Sequence, residues 1–393
     1  MKQRIQDLAH LYTEKVIAIR RHLHQFPELS FNEVETSKYI IEQIRPLGVE
    51  IQSGIIKTGI VVFIKGKNPT KKTIALRGDI DALPIQELTQ LPFASKNDGV
   101  MHACGHDIHT ASLIGCAFIL NELRNEFEGT IKLLFQPGEE LLPGGAKLMI
   151  EAGVLENPKV ESIFGQHVYP ELPVGKVGFK PGMYMASADE IYLTITGKGG
   201  HAALPQYFID PILIASHVII ALQQITSRKA NPSTPTVLSF GYIEGKGATN
   251  VIPNEVKLKG TFRTFDEKWR FEAHEHIRSI VSGIVTSMGG NFDLDIKVGY
   301  PFLTNEPLTT EFAKECAVEY LGQENVVDLE LRMTAEDFAY YSQQTKGCFY
   351  RLGTSNVSKN ISGSLHHPNV QFDDDALTTA MGLMSFIALK ELA

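Results

Sequence analysis

The sequence predicts an α/β protein: a discontinuous domain on a mixed, largely parallel sheet, interrupted by an inserted α+β domain. Three observations point there. Short β-rich runs alternate with helical patterns through residues 1–180, a strand–helix–strand–strand–helix–strand order fills 181–298, and the first rhythm resumes over 299–393. Interleaved strands and helices belong to a sheet covered by helices, whereas the middle order is the split βαβ pattern of a ferredoxin-like sandwich.

Apolar positions recur at helical spacing from about Ile5 to Gln25 and stop at Phe26-Pro27, where the proline ring ends a helix. Gly59 to Ile64 and Thr73 to Leu76 are β-rich runs. Then come a helix from about Ile108 to Arg124, a strand from Thr130 to Phe135, a helix around Gly145 to Ala152 and a strand near Ser162 to Gly165. In the insert, Glu190 to Ile195 alternates as a strand, and Asp210 to Arg228 is a helix with Pro211 in its first turn. Strands Val237 to Ile243 and Val256 to Phe265, a helix from Glu267 to Met288 and a strand from Phe292 to Val298 complete it. Helices near Leu308 to Leu321, Ala335 to Gln343 and Asp375 to Leu392 follow.

Composition narrows the function. A net charge of −8 with dispersed acidic residues lacks the basic footprint of a nucleic-acid binder. No apolar run approaches the roughly 18 residues of a membrane span, and the N-terminus opens an amphipathic pattern instead of a signal peptide. Cys104, Cys116, Cys316 and Cys348 are too unevenly spaced for a disulfide framework, which points to a reduced, cytoplasmic protein.

Four clusters collect histidine, cysteine and carboxylate where strands should end. His102 to His109 contains Cys104-Gly105-His106, a thiol and an imidazole two residues apart. These suit a borderline-soft ion, or equally a buried cysteine beside helix-capping polar groups. Glu139 and Glu140 adjoin after a strand, either as a solvated acidic turn or as a base beside a ligand. His167 sits at another strand end, and His366-His367 lies in the loop before the last helix. In an α/β enzyme, loops at the carboxyl edge of the sheet gather such groups.

In that order the motifs become specific. The chain resembles the aminoacylase and carboxypeptidase-like co-catalytic metallopeptidases, with a zinc-peptidase-like first domain. It is most similar to their N-acyl-amino-acid amidohydrolase branch of hippurate hydrolases, auxin-conjugate hydrolases and N-acetyl-diaminopimelate deacetylases. The resemblance begins at Arg21 to Phe31 and runs through Arg77 to Pro84, His102 to His109 and Gln136 to Glu140. It continues with Gly197 to Ala203, Thr249 to Pro253, Gly260 to Phe265 and Leu365 to Pro368.

The resemblance implies two divalent ions per subunit (zinc, manganese, nickel or cobalt) held by Cys104, His106, Glu140, His167 and His366. Cys104 stands where related peptidases bridge the ions with aspartate. A metal-activated water would cleave the amide of a small N-acyl amino acid, with Glu139 as general base. Asp81, counted with the catalytic groups, and Asp79 would orient ligands. His201 would stabilise the oxyanion, and Asn250 and Arg263 would hold the substrate. The inserted domain would cover the site and join two copies as a homodimer. Two departures stand out: Gly138 replaces a frequent alanine, and His367 replaces a common serine, leaving either histidine of the pair available to metal. A Cys104 nucleophile activated by His106 or His109, or a non-catalytic binding protein, are the competing classes.

Overall fold

Ile5, Ala9, Val16, Ile19 and Leu23 recur on one face of the first helix, Lys2–Gln25, and are all buried. In the computed structural model, which describes residues 1–393, this helix packs on His106–Glu122, as does the last helix, Ala376–Leu392. His106–Glu122 is apolar nearly all round because both neighbours and the sheet enclose it.

That sheet has eight strands, in the order Glu50–Ile55, Gly59–Lys65, Thr130–Gln136, Thr73–Asp79, Ser162–Pro173, Lys346–Ser355, Val177–Phe179 and Val326–Asp328. The four central strands run parallel. Thr73–Asp79 and Thr130–Gln136 are covered on both faces and buried at every residue; their apolar stretches, Ile74 to Leu76 and Leu133 to Phe135, suit that position. The carboxyl ends of Thr73–Asp79 and Thr130–Gln136 lead directly into Asp81 and Glu139. One expected element is much shorter: the helix foreseen from Ala335 covers only Ala339–Ser342. Asp337, within the expected first turn, instead gives its carboxylate to Arg77, Gln136 and the Ala146 N–H.

By internal contacts the chain divides into two units, one of Met1–Tyr184, Thr304–Leu331 and Asp337–Ala393, the other of Met185–Leu303 and Arg332–Glu336. The second has a four-stranded antiparallel sheet in the order Thr236–Glu244, Glu255–Thr264, Asp189–Thr196, Asn291–Val298. Asp189–Thr196 alternates, burying Ile191, Leu193 and Ile195 with Val218 and Leu222 of helix Pro211–Gln224 and Ile277 and Val281 of helix Glu267–Ser287. Asp210 caps the first of these helices, accepting from the N–H groups of Ile212 and Leu213. The fold is thus the expected mixed sheet with helices, plus a separate antiparallel α+β insert.

Candidate metal centre

Gly105 separates Cys104 from His106 for a steric reason. Its φ is +78°, and a Cβ there would lie 2.5 Å from Val168 Cγ2, so only glycine lets the turn pass this close to the next strand. His106 then opens its helix, with Nδ1 3.0 Å from the Asp81 carbonyl and 3.2 Å from Asp81 Oδ1. Both oxygens only accept, so Nδ1 carries a proton and Nε2 faces inward. That Nε2 is buried without a hydrogen-bond partner.

The other groups arrive from separate strand ends and loops. Glu140 follows strand Thr130–Gln136, and its N–H donates to Asp81 Oδ2 at 3.0 Å. His167, on strand Ser162–Pro173, donates Nδ1–H to the Val168 carbonyl at 2.8 Å and points Nε2 at Cys104 Sγ, 3.4 Å away. His366 is anchored by its own N–H to the Ala103 carbonyl at 3.0 Å. Its Nε2 lies 3.3 Å from Cys104 Sγ and 3.3 Å from Glu140 Oε1. Cys104, His106 and His167 offer ligand atoms within 4.8 Å of one another, and so do Cys104, Glu140 and His366. The two triads share one sulfur. Glu139, buried beside them, forms a further group with His106 and Glu140. His367 belongs to none of these groups, and its Nδ1 accepts the Asn369 N–H.

The residues fit a cation. Glu140 Oε1 is another buried atom without a hydrogen bond, facing the imidazoles of His366 and His106, and a buried carboxylate needs positive charge beside it. Burial opposes a charge on His106, yet Asp79, Asp81 and Glu140 outweigh it and raise that imidazole to about 10. Burial, then Glu140, Glu139 and Asp79, push the Cys104 thiol well above its ordinary range. The pocket thus favours positive charge and disfavours a bare thiolate, whereas thiolate, imidazole and carboxylate together are a donor set for a divalent ion.

Around this cluster lies a support layer of which the sequence marked only Asp79 and Asp81. Arg77 donates to Asp79, Asp337 and Gln136. Burial favours neutral Asp79, but Arg77, His106 and His109 hold it well below the usual carboxylate range. Asp81 also accepts from the Ser30 hydroxyl at 2.7 Å. Glu33, fully buried, accepts from the Gly138 N–H at 3.0 Å; burial and the neighbouring Asp81 raise it to about 7.

In the second unit, His201 and Asn250 lie on adjacent turns. His201 pairs with Val251, and the Ala202 N–H donates to the Asn250 carbonyl at 3.1 Å. His201 is exposed, whereas Arg263 is half-buried near the end of strand Glu255–Thr264 and donates to Thr261. The turn next to His201 adjoins the other end, where Asn254 accepts the Gly199 N–H. At about 3.4 Å per residue that strand separates Arg263 from Glu255 by ~27 Å, so this unit does not bring Arg263 together with the other two.

The model of peptidase family M20/M25/M40 matches residues 75–390. The chain is 42% identical over 376 residues to N-acetylcysteine deacetylase of Bacillus subtilis, covering 95% of this chain and 96% of that one. It is 39% identical to the IAA-amino acid hydrolase ILR1-like 4 of Arabidopsis thaliana, over 96% of this chain and 86% of the relative. Among solved structures, the YXEP protein of Bacillus subtilis, a dinuclear metal-binding peptidase of the M20 family, superposes with a TM-score of 0.83 at 40% identity. The match covers 98% of this chain and 99% of that one. This chain belongs to peptidase family M20/M25/M40 and is a hydrolase of its amidohydrolase branch.

Proposed function

We propose that the chain is a metal-dependent amidohydrolase that releases the amino acid from small N-acyl amino acids. The observation that carries this is the pair of triads sharing Cys104 Sγ beside buried Glu139. The relatives named for N-acetylcysteine and for IAA-amino acids support an N-acylated amino acid as the substrate class.

Cys104, His106, Glu140, His167 and His366 would hold two divalent ions, with Cys104, common to both triads, shared between them. Bound there, such ions polarise a scissile carbonyl and lower the pKa of water from about 15.7 towards 7. Glu139 takes the proton from the attacking water and returns it to the leaving nitrogen, a positioned transfer typically worth ~10²–10⁴-fold. Asp81 fixes the tautomer of His106 and, through the Glu140 N–H, the turn bearing the base. His201 donates to the oxyanion, Asn250 helps hold the carbonyl, and the fork of Arg263 suits the free α-carboxylate.

A homodimer through the inserted unit accompanies this reading. Helix Pro211–Gln224 leaves Ile212, Leu213 and Ile220 exposed, and edge strand Thr236–Glu244 exposes Tyr242 and Ile243. Because Arg263 lies near one end of strand Glu255–Thr264 and the turn beside His201 adjoins its other end, a small substrate can meet both only if two copies contribute. Sedimentation should give a dimer that Ile220→Lys dissociates.

The decisive assay is elemental analysis with a panel of N-acetyl, N-benzoyl and N-indoleacetyl amino acids. The expected result is two ions per chain and chelator-sensitive release of at least one amino acid. Metal near zero with no hydrolysis would leave a binding protein instead.

A further inference from the structure

None of the candidate ligands, base or substrate-binding residues falls in the Arg21–Phe31 motif, yet the segment just after its proline lies against the candidate centre. The Ala82 N–H donates to the Glu28 carbonyl at 2.8 Å, and Leu29 forms a bridge with Ala82. Ser30 donates to Asp81. Phe31, at φ +62°, packs its ring where a Gly138 side chain would be. Beyond the motif, Glu33 closes the strap. Its Oε1 accepts the N–H of Phe31 at 2.8 Å and that of Gly138 at 3.0 Å, while Oε2 accepts the Thr58 hydroxyl at 2.7 Å.

From this geometry we infer that Glu33 is a positioning residue whose carboxylate fixes the Gly138–Glu140 turn and so sets where Glu139 and Glu140 stand. The inference rests on the function proposed above. A carboxylate buried at the first residue before helix Val34–Ile44 has no need to reach a turn 105 residues away for the helix's own sake. It makes no side-chain cap to that helix, and one of its oxygens is spent on joining two loops. Beside it, the turn is tied by the Glu140 N–H to Asp81, the Gly145 N–H to the Gly138 carbonyl and the Asp337 N–H to Glu139 Oε1 at 3.4 Å, none of which holds the Gly138 N–H. Removing the Glu33 contact frees the residue just before the base.

Two conservative substitutions separate reach from charge. Glu33→Gln keeps the length: its amide oxygen accepts both N–H groups, and its NH₂ meets a Thr58 hydroxyl turned to accept. Glu33→Asp keeps the charge and a residue favoured before helices, but is one methylene too short for Gly138. Both variants and the wild-type chain are stripped with chelator, checked for matching circular dichroism, titrated calorimetrically with Zn²⁺ alone, and assayed for hydrolysis once reloaded. Glu33→Asp should lose ~10–100-fold in Zn²⁺ affinity and a similar factor in kcat, as for other groups that orient metal ligands, with KM little changed. Glu33→Gln should stay close to wild type in both. A Glu33→Asp protein that binds and turns over like wild type, or a Glu33→Gln protein as impaired as Glu33→Asp, overturns the role of Glu33 alone. A wild-type chain that neither binds Zn²⁺ nor hydrolyses the panel overturns the proposed function, and this role with it.

Discussion

His109 donates its Nδ1 proton to Asp79 Oδ1 across 2.6 Å and accepts the Val168 N–H on Nε2 at 2.9 Å. Although its ring lies with Asp79 and His106 in a group of metal-ligating type, both nitrogens are already engaged. It braces strand Thr73–Asp79 against Ser162–Pro173. His109→Phe would leave a buried N–H and a carboxylate oxygen unpaired, a loss of about 2–4 kcal/mol. Urea unfolding should register that loss, while metal bound per folded chain stays at the wild-type value. Unchanged stability with a missing ion would make His109 a ligand.

Cys104 separates the enzyme classes. Cys104→Asp retains an anionic donor between the two triads and should keep chelator-sensitive hydrolysis, whereas Cys104→Ala should lose both metal and activity. A thiol nucleophile could not survive either change, so equal inactivity of the two variants with metal fully retained would favour it.

Gly138 stands where the structure leaves room only for glycine. Its φ is +64°, and a Cβ would sit 2.4 Å from Phe31 Cζ. Gly138→Ala should cost ~1–3 kcal/mol from left-handed backbone and overpacking. Combining it with Phe31→Leu should recover part of that loss. A Gly138→Ala protein with unchanged thermal unfolding would show that the ring yields freely.

Acid should weaken the inserted unit through Asp189. Burial disfavours its charge, but Arg270 and His274 hold its carboxyl below the ordinary range. With the folded pKa depressed, the unfolded chain binds the proton first. The stabilisation is therefore complete above the ordinary Asp value of about 3.9 and is lost as pH falls below it. Trp269, the single tryptophan, lies on the same helix as Arg270 and reports this unit by fluorescence. Asp189→Asn should cost about 3 kcal/mol near neutrality by leaving Arg270 short of its partner, and should flatten the acid slope. An acid slope equal to wild type would assign it to other carboxylates.

Much of this architecture was legible because it follows local rules. Helix Glu267–Ser287 and the alternation in Asp189–Thr196 carry their periods in sequence, and Pro211 behind Asp210 marks a helix start. The short strands Val177–Phe179 and Val326–Asp328 did not stand out, since three residues hold no period. Residues that meet around Cys104 fall in motifs at strand ends, so their order already suggested convergence. Glu33 and Asp337 lie outside those motifs, and Arg77 opens one without any role being assigned to it. Their roles depend on which loops the sheet order makes neighbours, as when Asp337 meets Arg77 across 260 residues of chain.

The most direct measurement is on Glu139→Gln. The account predicts a protein that folds and binds two ions as wild type does, yet loses hydrolysis of N-acyl amino acids by ~10²–10⁴-fold in kcat. Wild-type turnover by this variant, with its metal complement intact, would contradict Glu139 as the proton carrier and with it the proposed mechanism.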